Sequence, residues 1–507
     1  MRSVIITLLA CSIIASTSSL PFKVKQPVSE DNEQAVEKQH VRTATKEVKE
    51  DLQQDFTSSS SIVASYFSSE DDSISMALKE SIHQMANTKD MHEFLLSTRR
   101  SLHRNPELMY ELPHTSETIS TILDELNIPY TKGWAKNTHQ EVYPGPGGYG
   151  IVTHIGKNIL EEDQPCIILR ADMDALPILE ATKNIESFKS KTNHQMHACG
   201  HDGHVTMLLG AAALLKSVES EIEGAIRLVF QPAEEGGAGM KRMVEEGLVE
   251  LKPQAKLGFG MHVWPTLPSG VIATRPGALM AAAEMFTVEI HGKGGHAAMP
   301  HLTIDPIVAV SSLISNLQSI VSRTISPLES GVISVTSVNA GDAFNVIPGS
   351  AALKGTIRAL STEMLMSLRD KFDHMVTSTA MLHGCNATIQ YSPDYYVPTI
   401  NDKDLFEWSS KVGALVSKEG QVRDIEPTMG GEDFGFLADV LPSTFFFIGQ
   451  GSGGDEKYHI PRTDYGLHHP SFALDEDVLP IGVELHANLA LRSLKKLAIE
   501  ERMKTEL

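Results

Sequence analysis

The sequence predicts an α/β protein: a mainly parallel-sheet domain, interrupted by an inserted α+β domain of the ferredoxin-like kind. Two observations carry this reading. Between Gly150 and Met261, apolar runs of strand length alternate with segments of helical periodicity, the pattern of a parallel α/β sheet. Between 284 and 396 the order changes to strand, helix, strand, strand, helix, strand, the split β-α-β arrangement. A chain of 507 residues is also longer than one ordinary domain.

The elements follow in chain order. Residues 1–19 read as a secretory signal, with Arg2 before the mostly apolar stretch Val4 to Ile14 and small residues from Ala15 to Ser19. That stretch is too short to span a bilayer, and no later one is long enough. Residues 20–75 are rich in Glu, Lys, Gln and Ser and lack glycine, so they are expected to form a flexible linker or pro-segment outside the fold. The first part of the larger domain, 76–283, opens with helices over Met91 to Leu102 and Thr115 to Leu126. Strands are expected at Gly150 to Ile155, Cys166 to Leu169, Ala225 to Phe230 and Leu257 to Met261. Helices separate them at Val205 to Leu215, opened by Asp202, and at Ala238 to Glu246. The inserted domain, 284–396, has strands at Met285 to His291, Val332 to Val338, Ala351 to Ile357 and Ala387 to Tyr391. Its helices span Asp305 to Val321 and Met364 to Leu382. The first domain resumes over 397–507, where Phe445 to Ile448 supplies another buried strand.

Composition narrows the function. With 41% hydrophobic and 21% charged residues, the chain is of the soluble globular type. A net charge of −21 argues against nucleic acid and anionic membrane surfaces as partners. The four cysteines do not form a disulfide framework: Cys11 lies in the signal, Cys166 on a core strand, Cys199 in a ligand-rich segment and Cys385 in the other domain. The final Lys504-Thr505-Glu506-Leu507 resembles an endoplasmic-reticulum retention tetrapeptide. Asn386-Ala387-Thr388 is an N-glycosylation acceptor sequence.

The chemistry lies in short segments at strand ends and helix starts. They are Arg170 to Asp174, His197 to His204, Glu234-Glu235, Met261 to Trp264 and, far downstream, Leu467 to Pro470. In open α/β sheets ligands bind outside the carboxyl ends of the strands, where these segments fall. A lone buried Cys or His is more often a core residue than a ligand. Cys199 and His201 change that weighting, because they sit two apart at a helix start on the same sheet edge as Asp, Glu and His segments. Mixed Cys, His and carboxylate donors suit a divalent transition metal. Glu234 and Glu235 are adjacent and face different ways on a loop, so one can bind metal while the other moves a proton. Asp174 or Asp172 can orient a ligand histidine. In the inserted domain, His296 lies in a glycine-rich turn and could donate to a developing oxyanion. Asn345 could present its amide to substrate. Both also read as ordinary turn residues.

These segments closely resemble the aminoacylase/carboxypeptidase metallohydrolase family, in particular plant indole-3-acetyl-amino-acid hydrolases and bacterial hippurate hydrolases and N-acyl-amino-acid deacetylases. The resemblance runs from about 95 to 490 and includes Arg99 to Leu108, Gly294 to His301, Asn345 to Pro348 and Gly431-Glu432-Asp433-Phe434. It implies a catalytic domain holding two divalent ions (Mn²⁺ or Zn²⁺), and an inserted lid domain often used for dimerisation. It implies Cys199, His201, Glu235, His262 and His468 as metal ligands, Glu234 as general base and Asp174 as its catalytic companion. His296 and Asn345 would contact substrate, across a homodimer in some arrangements. The activity it implies is cleavage of a small N-acyl or N-aroyl amino acid, with a metal dipeptidase or carboxypeptidase, or a catalytically silent binding protein, as the alternatives; the compartment it implies is the endoplasmic-reticulum lumen, with secretion as the alternative. The longer 20–75 segment and the insertion at 136–149 depart from the family pattern.

Overall fold

The structure is a computed structural model that describes residues 30–505, apart from 55, 70, 71, 158, 160, 162 and 456–459. The expected signal at 1–19 and the last two residues of the C-terminal tetrapeptide lie outside the described residues.

The expectation for 20–75 needs correction. From residue 30 onward this segment is helical: Glu30–Gln54, Thr57–Ser68 and Asp72–Ala86. Sparse apolar residues at helical spacing form a one-sided stripe of Val41, Ala44, Val48 and Leu52, all buried. Glu, Lys and Gln are good helix formers, so the composition that suggested a linker serves a long amphipathic helix equally well. The first helix packs on Lys89–Arg104 and Pro113–Glu125. Lys49 Nζ donates to the Glu125 carbonyl at 2.7 Å across that contact. The Asp72–Ala86 helix rests on the long final helix Leu479–Thr505. There Arg492 donates to the Ser75 hydroxyl and carbonyl at 2.7 and 2.9 Å. Val48→Asp should therefore place an unpaired charge in the core and cost at least about 2 kcal/mol, read as a lowered Tm. A loss below about 0.5 kcal/mol, the range of surface changes, would show the helix undocked.

The larger sheet has eight strands in the order Tyr130–Lys136, Gly147–Ile155, Ala225–Gln231, Cys166–Asp172, Ala255–Pro268, Ser443–Gly451, Ile272–Thr274 and Arg423–Asp424. The four from Ala225–Gln231 to Ser443–Gly451 run parallel and are buried almost throughout. Helices on both faces produce such continuous apolar runs. Gly147–Ile155 runs antiparallel to its neighbour. Parallel register sets Asp172 level with Gln231, so both strands end at one edge. The strand Ala255–Pro268 continues past Met261, which puts His262 mid-strand at that level rather than at its end.

The inserted unit has its own four-stranded antiparallel sheet, in the order Gly331–Asn339, Ser350–Ala359, Ala282–His291, Asn386–Tyr391. Helices Pro306–Ser319 and Thr362–Leu382 pack on one face, over a core that includes Phe286, Val288, Leu313, Ile357 and Phe372. This is the ferredoxin-like order expected. The two connections to the larger sheet pair with each other as Gly277–Met280 and Thr399–Asn401.

Candidate metal centre

Asp174 follows the Cys166–Asp172 strand and is buried. Its carboxylate accepts the Glu234 N–H at 2.8 Å on one oxygen and the Glu235 N–H at 3.1 Å on the other. It thereby shapes the loop carrying both glutamates. Tyr396, on the return from the inserted unit, holds the same loop from the other side. Its hydroxyl donates to the Glu234 carbonyl and accepts the N–H groups of Gly236 (2.9 Å) and Ala238 (3.2 Å).

Cys199 precedes the helix His201–Ser217, with Gly200 between them at φ +92°. A Cβ at Gly200 would meet Val263 at 2.5 Å, so the close approach of this turn to the His262 strand requires glycine. His468 has φ +63°, a strained setting for a non-glycine residue, and its N–H donates to the Ala198 carbonyl at 2.8 Å.

These elements bring the predicted ligands together as two triads that share Cys199. One is Cys199, His201 and His262; the other is Cys199, Glu235 and His468. In each triad the donor atoms lie within 4.8 Å of one another. Cys199 Sγ is 3.3 Å from His262 Nε2, and His468 Nε2 is 3.2 Å from Glu235. His262 Nδ1 donates to the Val263 carbonyl at 2.7 Å, which leaves Nε2 as the lone-pair nitrogen facing the thiol.

The donor set fits a cation. Both nitrogens of buried His201 lack a hydrogen-bond partner, a condition it shares with His197 and His486. Four carboxylates surround that ring at 3.7 Å (Asp172), 3.8 Å (Asp174), 3.9 Å (Glu234) and 4.0 Å (Glu235). Although burial opposes it, Asp172, Asp174 and Glu235 push the His201 pKa up to about 10. Burial pushes the Cys199 thiol well up, and Glu235, Glu234 and Asp172 push the same way. The site is an unbalanced pocket of negative charge, and a divalent ion in it would favour the thiolate and neutral imidazoles.

His204 is not free for this purpose. Its Nδ1 donates to Asp172 at 2.6 Å and its Nε2 accepts the Val263 N–H at 3.0 Å. Asp172 is held in turn by Arg170 at 2.8 Å. Arg170 is wholly buried and also binds Gln231 (2.7 Å), Glu432 (2.8 Å) and Asp433 (2.9 Å). Glu234 lies above this network. Burial, followed by Glu432, Glu235 and Asp433, holds its carboxyl well above the usual range. The sequence carries no signal for Tyr396; for the Arg170 cluster it carries the Arg170 to Asp174 and Gly-Glu-Asp-Phe segments, and Asp172, expected to orient a ligand histidine, hydrogen-bonds His204 instead.

A cavity of about 380 Å³ opens beside Glu234, lined among others by Trp264, Met285, Arg358, Tyr396 and Leu467. His296 and Asn345 do not line it. They lie together on the exposed ribbon formed by Gly295–His296 and Val346–Ile347, where the Ala297 N–H donates to the Asn345 carbonyl at 3.0 Å.

A mainly parallel sheet presenting Cys, His and Glu donors, with a spare glutamate beside them, is the equipment of a metal-binding hydrolase. The chain belongs to peptidase family M20/M25/M40, whose family model matches residues 168–492. It is 40% identical over 417 residues to IAA-amino acid hydrolase ILR1-like 4 of Arabidopsis thaliana, covering 82% of this chain and 88% of that one. It is 36% identical to N-acetylcysteine deacetylase of Bacillus subtilis (80% and 97% covered) and equally so to thermostable carboxypeptidase 2 of Saccharolobus solfataricus (81% and 98%). Among solved structures, the Bacillus subtilis YXEP protein, a dinuclear metal binding peptidase of the M20 family, superposes with a TM-score of 0.63 at 32% identity, over 80% of this chain and 98% of that one.

Proposed function

We propose that this protein hydrolyses the amide bond of N-acyl or N-aroyl amino acids. In this reading Cys199, His201, Glu235, His262 and His468 hold two divalent ions, Mn²⁺ or Zn²⁺. Such ions lower the pKa of water and polarise a carbonyl oxygen. Glu234 accepts the proton of the attacking water and delivers it to the leaving amine nitrogen. Asp174 keeps Glu234 in place through the loop backbone. The observation that carries the proposal is the position of Glu234: it lines the cavity and groups with His201 and Glu235, yet it belongs to neither triad that shares Cys199.

The cavity also favours one substrate class. Arg358 is the single Lys or Arg among its lining residues and suits the carboxylate of the amino acid half. The carboxypeptidase named above raises a second reading, a dipeptide with a free ammonium. The lining carboxylates Glu284, Asp394 and Glu432 are already paired, with Arg369, with Lys241 and Arg242, and with Arg170. That leaves no unpaired carboxylate outside the metal and proton-transfer set, which favours an N-acyl group over a free amine. Turnover of matched N-acyl amino acids and dipeptides, before and after chelation, tests the assignment. Faster chelator-sensitive cleavage of the dipeptides would reverse it.

Arg358→Ala should raise KM roughly 10- to 100-fold, the worth of one charge-assisted contact, with Tm nearly unchanged. An unaltered KM would remove Arg358 from carboxylate recognition.

His296 and Asn345 stand apart from the cavity of their own subunit, which supports their use by the partner in a homodimer formed through the lid. Mixing His296→Ala with Glu234→Gln subunits should then restore activity that neither has alone. Verified mixed dimers without recovery would oppose the arrangement. The leader at 1–19 and the Lys-Thr-Glu-Leu terminus support residence in the endoplasmic-reticulum lumen, with secretion as the alternative.

A further inference from the structure

We propose that Asn386 carries an N-linked glycan that caps the free edge of the lid sheet. The inference rests on the secretory routing proposed above and concerns a part of the molecule remote from the metal centre. The acceptor pattern Asn-X-Ser/Thr, with X other than proline, occurs once in the 507 residues, at Asn386-Ala387-Thr388.

The fold presents that sequence well. Helix Thr362–Leu382 ends in a turn through Gly384 at φ +71°, and Asn386 opens the strand that follows. Along this strand Asn386, Thr388 and Gln390 are exposed, while Ala387, Ile389 and Tyr391 pack on the lid core. Asparagine and threonine of the acceptor therefore share the open face of the sheet. Thr388 is hydrogen-bonded to His291 at 2.9 Å on that face.

The strand pairs on one side with Ala282–His291 and, among the described residues, has no strand on the other. An unpaired edge invites strand addition from another chain. The end of helix Thr362–Leu382 beside it also exposes Met381 and Leu382, at 70% and 79%. A bulky hydrophilic glycan there would block edge pairing and screen both side chains. The opposite edge strand, Gly331–Asn339, stays clear for a partner subunit. So does the cavity: Asn386 pairs with His291, six residues along the strand from cavity-lining Met285, which is about 20 Å at the usual strand rise.

In the transfer, Asn386 Nδ2 bonds to the anomeric carbon of a lipid-pyrophosphate-linked oligosaccharide, the nitrogen loses one proton, and the lipid pyrophosphate leaves. No electrons are exchanged.

The test is expression of the full chain in a eukaryotic secretory host behind a heterologous leader, so that routing does not depend on residues 1–19. Peptide mapping after amidase removal of the glycan should show Asn386 converted to Asp. Asn386→Gln and Thr388→Ala should each abolish the modification, Thr388→Ser should keep it, and all should retain turnover. Secreted, active protein with unmodified Asn386 overturns the site. A parallel expression with the native leader tests routing separately. Capping is read by light scattering on mild heating: deglycosylated protein and Asn386→Gln should aggregate several-fold faster than the glycosylated form. Equal rates would overturn the capping role.

Discussion

Glu234→Gln is expected to retain both metal ions and to lose activity by roughly 10²–10⁴-fold, the usual contribution of a general base. The side chain is isosteric, and the loop is positioned through its backbone by Asp174 and Tyr396, so the substitution should leave the geometry intact. Glutamine cannot take a proton from water, whereas the proposed metal donors are other residues. Elemental analysis together with steady-state kinetics decides the matter. Full activity would remove Glu234 from proton transfer, and lost metal would make it a ligand. Glu235→Ala, one residue along, should lose metal as well as activity.

Cys199→Ala should have the broadest effect on metal binding, because Cys199 belongs to both triads whereas His262 and His468 belong to one each. Loss of the shared thiolate is expected to weaken both ions. His468→Ala should mainly weaken the one held with Glu235. Metal content per subunit, titrated against a chelator of graded strength, separates these cases. In the wild type, bound metal should also protect Cys199 from alkylation, because a coordinated thiolate is occupied. Cys199→Ala protein with full metal content and turnover would refute the shared role, and an acyl group trapped on Cys199 would replace metal catalysis with covalent catalysis.

The parts of the fold legible in the sequence were those where local pattern and burial agree. Cys166–Asp172 and Ala225–Gln231 are buried on both faces, so their apolar runs marked them as inner strands. Strand direction leaves no such mark, and Gly147–Ile155 proved antiparallel. Tyr130–Lys136 is largely exposed and irregular, and Arg423–Asp424 is two residues long; neither carries a period to detect. The helix Glu30–Gln54 was hidden by its polar composition, since one narrow stripe does all its packing. In the site, the ligand types and their spacing were readable, but His204 looks like His201 until the hydrogen bonds occupying its nitrogens are known. Arg170 gains its meaning from Glu432 and Asp433, more than 250 residues away, and Tyr396 from a loop 162 residues before it. Such partners are created by tertiary folding and leave no local signature.

The meeting of the Asp72–Ala86 helix with Leu479–Thr505 has a consequence for biosynthesis. Leu479–Thr505 leaves the ribosome after the other described elements, yet it packs on both Asp72–Ala86 and the helix His201–Ser217 that follows Cys199. Until it arrives, the Asp72–Ala86 helix and the Cys199 helix each lack part of their cover. Domains normally consolidate as they emerge, N-terminal parts first. Here the nascent chain must wait with apolar faces open, so its yield should depend on chaperone supply during translation, and a stop codon before Leu479 should send the product to degradation although it still encodes every proposed metal donor.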